Sequence, residues 1–252
     1  MKFLDTIRQF VPFLGRKKSE EQADHASPEL EPEPSLPQRR TRSARPLVPT
    51  KEQIDALPAF VGLRIDQIEV PTTTAQAQAA AAHLLTRRFV GFDTESKPTF
   101  APGEASTGPH VVQFSTLERA YIFQVHRAEC REALLSLLQS TKMVKVGFGL
   151  RSDRGHIQRK FGVQPGAILD MTTYFKQVGH RNEVGVKSAV AMVLQQRFQK
   201  SKRISTTNWS NAELTTSQLL YAANDAYGAI AVLHALHLPE KELPIIGATN
   251  KS

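Results

Sequence analysis

A single cysteine, Cys130, stands in a chain of 252 residues. That excludes an internal disulfide and any zinc site built on several cysteines. Long apolar runs are missing too. No stretch reaches the roughly 18 apolar residues that a membrane-spanning helix needs. The first 15 residues are apolar, but Asp5 and Arg8 interrupt them and no small-residue cleavage site follows. They do not make a secretory signal, and a cytoplasmic location is expected. No internal repeat is visible. What the chain does have is a 40% hydrophobic content, enough for a sizeable core, and 32 Lys and Arg against 24 Asp and Glu, a net charge of +8. A basic balance favours polyanionic partners, nucleic acid or an anionic membrane surface, without choosing between them.

Composition divides the chain. Residues 17–50 are rich in Pro, Glu, Ser and Arg. Ordering each residue costs roughly 1–2 kcal/mol, and this stretch has little apolar surface to offset it, so it reads as a disordered linker. Its later basic cluster (Arg39, Arg40, Arg42, Arg45) is either a weak nucleic-acid contact or a solvated tail. Ahead of it, residues 1–16 carry Phe3, Leu4, Ile7, Val11 and Leu14 at helical spacing. This short amphipathic segment suits a membrane surface or a partner, although Pro12 works against one continuous helix. Residues 51–71 read as a connecting arm, 72–240 as the folded domain and 241–252 as a C-terminal tail. Within the domain, helices are expected over 75–88, 128–139, 153–161, 170–175, 186–197 and 215–237. Strands are expected over 89–94, 111–115, 120–125 and 143–148, with a short apolar run at Ile168 and Leu169. The fold class is α/β, a mixed central sheet flanked by helices.

Three short patterns carry chemistry. An apolar strand, Phe89-Val90-Gly91-Phe92, runs into Asp93-Thr94-Glu95. Residues i and i+2 of a strand share a face, so Asp93 and Glu95 converge on one spot. A second strand ends in Gly147-Phe148-Gly149 and is followed by Asp153 in a first helical turn; an acidic residue there is also favoured by the helix dipole alone. The third is Tyr221-Ala222-Ala223-Asn224-Asp225 on a long helix, where i and i+4 project together. Each pattern is common by itself; the ordered set is not.

That set resembles the DEDD exonuclease superfamily, tyrosine subclass. The surrounding words are similar to the Werner-exonuclease-like and ribonuclease D-like group: Gly91 to Glu95 with Lys97-Pro98, Val112-Gln113-Phe114, Lys145 to Gly149 through Asp153, and Asn208-Trp209-Ser210 with Leu214, Gln218 and Tyr221 to Tyr227. The resemblance covers residues 85–237. It implies a ribonuclease H-like fold and stepwise 3′→5′ hydrolysis of terminal phosphodiesters. It also implies metal ligation by Asp93, Glu95 and Asp225, with Asp153 acting directly or through water, and an orienting role for Tyr221. Two divalent cations, Mg²⁺ or Mn²⁺, are the implied cofactors; both prefer oxygen ligands. The implied partner is nucleic acid with a free 3′ end, DNA being favoured by the Asn208-Trp209-Ser210 block. A ribonuclease D-like RNA-trimming enzyme and a silent nucleic-acid-binding module are the alternatives. Lys200, Lys202 and Arg203 are candidate phosphate contacts or a solvated loop, and Trp209 either stacks on a base or packs in the core. Ser96 departs from relatives that carry tryptophan there, beside the metal ligands.

Overall fold

The computed structural model of the chain describes residues 48–99 and 103–248. The amphipathic segment over 1–16, nearly all of the linker and the last four residues lie outside the described residues. A six-stranded sheet is built from β1 (Ile68–Glu69), β2 (Phe89–Glu95), β3 (Val111–Ser115), β4 (Ala120–Gln124), β5 (Val144–Gly147) and β6 (Ile168–Asp170), in the order β1-β4-β3-β2-β5-β6. β2, β3 and β4 form an antiparallel meander. β5 and β6 extend it in parallel from β2, and β1 closes the other edge in parallel with β4. The mixed sheet expected from the sequence is therefore present.

Alternation along β2 separates the faces. Val90 and Phe92 enter a core shared with α2 (Thr74–Leu85), α3 (Arg131–Gln139) and α4 (Arg151–Phe161). Gly91 faces the opposite layer, where α8 (Thr216–Leu236) crosses the sheet beside α6 (Val186–Leu194). At 21 residues, α8 is about 32 Å long, enough to span the sheet. Its N-terminus is fixed by Thr215 and Gln218 in a reciprocal capping box. Ala222, Ala223, Ala226 and Ala229 on its buried face let it lie close to the strands. Helix α2 likewise buries Ala77, Ala80, Ala81 and Leu84 behind the Thr73 cap.

Three stretches depart from the sequence reading. Residues 51–71, expected only to connect, pack onto the domain together with the last residues of the expected linker, 48–50. They supply α1 (Lys51–Asp55), edge strand β1 and a backbone bridge between Ala59 and Arg197. Helix α6 accordingly stops at Leu194 rather than 197. Gln195 turns left-handed at φ 53°, and Arg197 gives its N–H to Pro58 O (2.7 Å) and its carbonyl to Phe60 N–H (3.0 Å). The arm thus claims backbone groups that a helix would have used. In the expected tail, Ile246 pairs with Ile168 on β6.

A charge is also buried where an apolar strand was expected. Lys145 of β5 is fully enclosed. Its ammonium donates to the carbonyls of Leu137 (3.1 Å) and Ser140 (2.9 Å) at the C-terminal end of α3 and of Met143 (3.1 Å) in the turn that leads into β5. The first two carbonyls are at the negative end of a helix dipole. Burial still pulls the amine down to about 7.

Candidate active site

One close approach makes the site. A Cβ added at Gly91 would lie 1.9 Å from the carbonyl oxygen of Ala226. Only glycine lets the backbones of β2 and α8 come so near. Two residues past Gly91 stands Asp93; one before Ala226 stands Asp225. The approach therefore brings the strand's acidic pair under the helix. Ligand oxygens of Asp93, Glu95 and Asp225 lie within 4.8 Å of one another. Tyr221, one turn earlier on α8, lines the same cleft.

Asp153 reaches the cleft by another route. β5 ends in a turn in which Gly149 takes φ +68°. Asp170 accepts the N–H groups of Gly149 and Leu150, both at 3.0 Å, and so caps α4 from outside. It also accepts from Thr172 at 2.9 Å, capping α5 (Met171–Gln177). Asp153 in the first turn of α4 then accepts a short hydrogen bond from the Thr94 hydroxyl. It stands outside the tight trio and forms the cleft wall. Thr94 links it to the strand that carries the other two acids.

The electrostatics are those of crowded, desolvated acids. Burial, reinforced by Asp153 and Asp225, holds Asp93 well above the usual carboxylate range. Glu95 is pushed up to about 9 by burial, with Asp93 and Asp225 adding to it. Burial raises Asp153 and Asp225 as well, opposed by the Thr94 hydroxyl at the first and by Lys200 at the second. Burial and then Asp225 raise the Tyr221 phenol. It stays protonated near neutral pH and can donate a hydrogen bond, not abstract a proton.

The remaining residues singled out from the sequence part company. Lys200 enters the acidic cluster: its Nζ lies 2.8 Å from Asp225 Oδ2 and 5.4 Å from the centre of the Tyr221 ring. Lys202 and Ser205, at the two ends of α7 (Lys202–Ser205), line the cleft, whereas Arg203 is exposed and does not. Trp209 is 1% exposed. It packs with Leu63, Val111 and Ala222 under α8, and its indole N–H donates to Ser205 O at 3.2 Å. At that burial no face of the ring is open to a base. Ser96 lies in the cleft beside Glu95. His156, which the sequence reading passed over, lines it as well. Its spacing of three from Asp153 on one helix was the available signal.

The cleft lined by Asp93, Glu95, Asp153, Lys200 and Tyr221 has a volume of about 500 Å³, and Asp225 borders the hollows beside it. The ligand set of the trio is purely oxygen and anionic, and neither Asp225 oxygen accepts a well-aligned hydrogen bond from the protein. Such a set fits hard divalent cations. It fits zinc poorly, because among the described residues the trio contains no sulfur or imidazole ligand.

A family model described as 3′-5′ exonuclease matches residues 68–239. The chain belongs to the 3′-5′ exonuclease family. It is 31% identical over 171 residues to the mouse bifunctional 3′-5′ exonuclease/ATP-dependent helicase WRN, covering 62% of this chain and 12% of that protein. It is 29% identical over 161 residues to an Arabidopsis thaliana 3′-5′ exonuclease, covering 62% of this chain and 54% of the relative. Among solved structures, the Nibbler EXO domain of Aedes aegypti superposes with a TM-score of 0.60 at 21% identity, over 73% of this chain and 92% of that one. Escherichia coli RNase D superposes at 0.59 and 20% identity, over 67% and 44%. These likenesses establish the ribonuclease H-like exonuclease fold. The family match makes the domain a 3′-5′ exonuclease.

Proposed function

We propose that this exonuclease works by the two-metal route and that its preferred substrate is DNA with a free 3′ end. The observation that carries the reading is the meeting of Asp93, Glu95 and Asp225 within 4.8 Å. In that reading these three would hold Mg²⁺ or Mn²⁺, and Asp153 would support a second ion directly or through water. When bound, a pair of such ions supplies the positive charge that activates water and stabilises the departing 3′ oxygen. The chain's own work is positioning. The Gly91–Ala226 approach sets the distance between the acids. The Tyr221 hydroxyl donates to the attacking water or to a phosphate oxygen, and Lys202 and His156 face the cleft that the terminal phosphates would enter. The phenol's raised pKa supports orientation rather than base catalysis.

The preference for DNA rests on the likeness to WRN. A second reading, RNA trimming, is favoured by structural likeness to RNase D, including a Trypanosoma brucei RNase D solved with RNA U12 (TM-score 0.60). A silent binding module is disfavoured because all four acids and the tyrosine are in place. Matched 5′-labelled DNA and RNA oligonucleotides, each with Mg²⁺ and with Mn²⁺, separate the three. Faster laddering of DNA supports the proposal, faster laddering of RNA reverses the preference, and salt-sensitive binding with no laddering supports the module.

A further inference from the structure

Lys200 is more than a surface cation. Its side chain is 39% exposed, yet its ammonium turns inward onto a carboxylate whose side chain is 2% exposed. Burial alone would lower the amine, but the charges of Asp225 and Asp93 hold it above its usual range. The segment that carries it is fastened from both sides. Upstream, Arg197 is bridged to Pro58 and Phe60, Val61 N–H donates to Gln196 Oε1 (3.3 Å), and Phe198 packs on Phe60 with ring centres 5.1 Å apart. Downstream, Ser201 caps α7. The arm over residues 58–61 is in turn held to α8, where Leu63 N–H donates to Asn224 Oδ1 at 2.7 Å. The held backbone on either side keeps Lys200 within reach of Asp225.

We infer that Lys200 is a built-in counter-ion that occupies the Asp225 side of the acidic trio in the metal-free protein and must leave when a divalent cation binds there. This rests on the assignment of the trio as a metal site. The physics is competition for one carboxylate. Four crowded acids need positive charge, and one ammonium supplies a single unit without the geometry of a multidentate cation. The metal therefore displaces it, and the ion pair weakens the metal's apparent affinity. On leaving Asp225, the ammonium remains in the cleft that Lys202 also lines.

The test is Mn²⁺ binding followed by calorimetry on the full chain, with no nucleic acid present. K200M and K200Q should bind Mn²⁺ at least about tenfold more tightly than the unaltered protein, since a competing charge within a few ångströms is removed. K200R keeps the charge and should stay within about threefold of the unaltered protein. Equal affinity in all four proteins overturns the inference, and so does tightening by K200R as large as that by K200M. Loss of binding in D225N with no change in K200M sinks the Lys200 role and leaves the metal site standing. No binding by the unaltered protein sinks the metal site itself. A second readout needs no variant beyond a resonance assignment. In ¹⁵N-lysine NMR, the Lys200 ammonium signal should shift or vanish as Mg²⁺ is added. An unmoved signal at saturation overturns the inference.

Discussion

Replacing Gly91 by alanine strikes the feature on which the site depends. The added Cβ would sit 1.9 Å from Ala226 O, against an ordinary closest carbon–oxygen approach of about 3.3 Å. Helix and strand must separate by about 1.4 Å, because the obstructing atom is backbone and has no rotamer to change. Both neighbours of the clash carry ligands, so the separation falls between Asp93 and Asp225. Overpacking of this kind typically costs about 1–3 kcal/mol, or a fall in Tm of roughly 2–12 °C for a domain of this size. The loss of function should be larger than the loss of stability suggests. A displacement of about 1 Å at reacting groups can cost about a hundredfold in rate. G91A should therefore remain folded by circular dichroism at 20 °C, bind Mn²⁺ more weakly and lose about a hundredfold in kcat/KM. Unchanged Tm together with unchanged turnover would refute the claim that this close approach sets the site.

Three further outcomes are expected. Y221F should lower kcat by about ten- to a hundredfold with calorimetric Mn²⁺ affinity unchanged; unaltered kcat would make Tyr221 a packing residue on Trp209. In EDTA, raised carboxyl pKa values stabilise the folded protein at low pH. That contribution is complete below the unfolded carboxyl values near 4 and is lost as pH rises through the folded Glu95 value of about 9. Tm should thus fall across that window in EDTA and fall much less with saturating Mg²⁺; parallel curves would contradict the crowded-acid account. Lys145 works in the opposite sense, because its folded value of about 7 lies below the usual 10.5. The unfolded chain binds more protons between those values, so in saturating Mg²⁺ stability should climb with pH from 7 towards 10. K145M should remove that climb and, by stranding three carbonyl acceptors, destabilise most at alkaline pH. A variant as stable as the unaltered protein at pH 9.5 would argue against the role given to Lys145.

Local periodicity carried much of this fold to the reader of the sequence. The meander β2-β3-β4 and helix α8 follow from strand alternation and helical spacing, and the Asp93/Glu95 and Tyr221/Asp225 pairs follow from the same two periods. What stayed hidden depends on contacts distant in sequence. Nothing within residues 48–71 signals a strap, because the hydrogen bonds that fasten it go to distant residues, among them 196–197, Asn224 and Glu118. Lys200 reads as one of several exposed basic residues until the strap aims it at Asp225. Lys145 reads as a break in an apolar strand; the end of α3 and the turn after it supply its three acceptors. Trp209 was legible in type but not in place, since a large aromatic serves a core and a base-stacking platform equally well. Gly91 shows the same limit: a glycine in a strand marks a close approach, but not which helix makes it.

The central claim is that Asp93, Glu95 and Asp225 drive metal-dependent removal of nucleotides from a 3′ end. A 5′-labelled DNA strand, sampled over time on a sequencing gel, tests it most directly. With Mg²⁺ or Mn²⁺ the account predicts a ladder that shortens one nucleotide at a time. It predicts no ladder in EDTA, none with D225N or D93N, and none on a strand blocked at its 3′ end. Cleavage that persists in EDTA, or that D225N leaves at the unaltered rate, would contradict it.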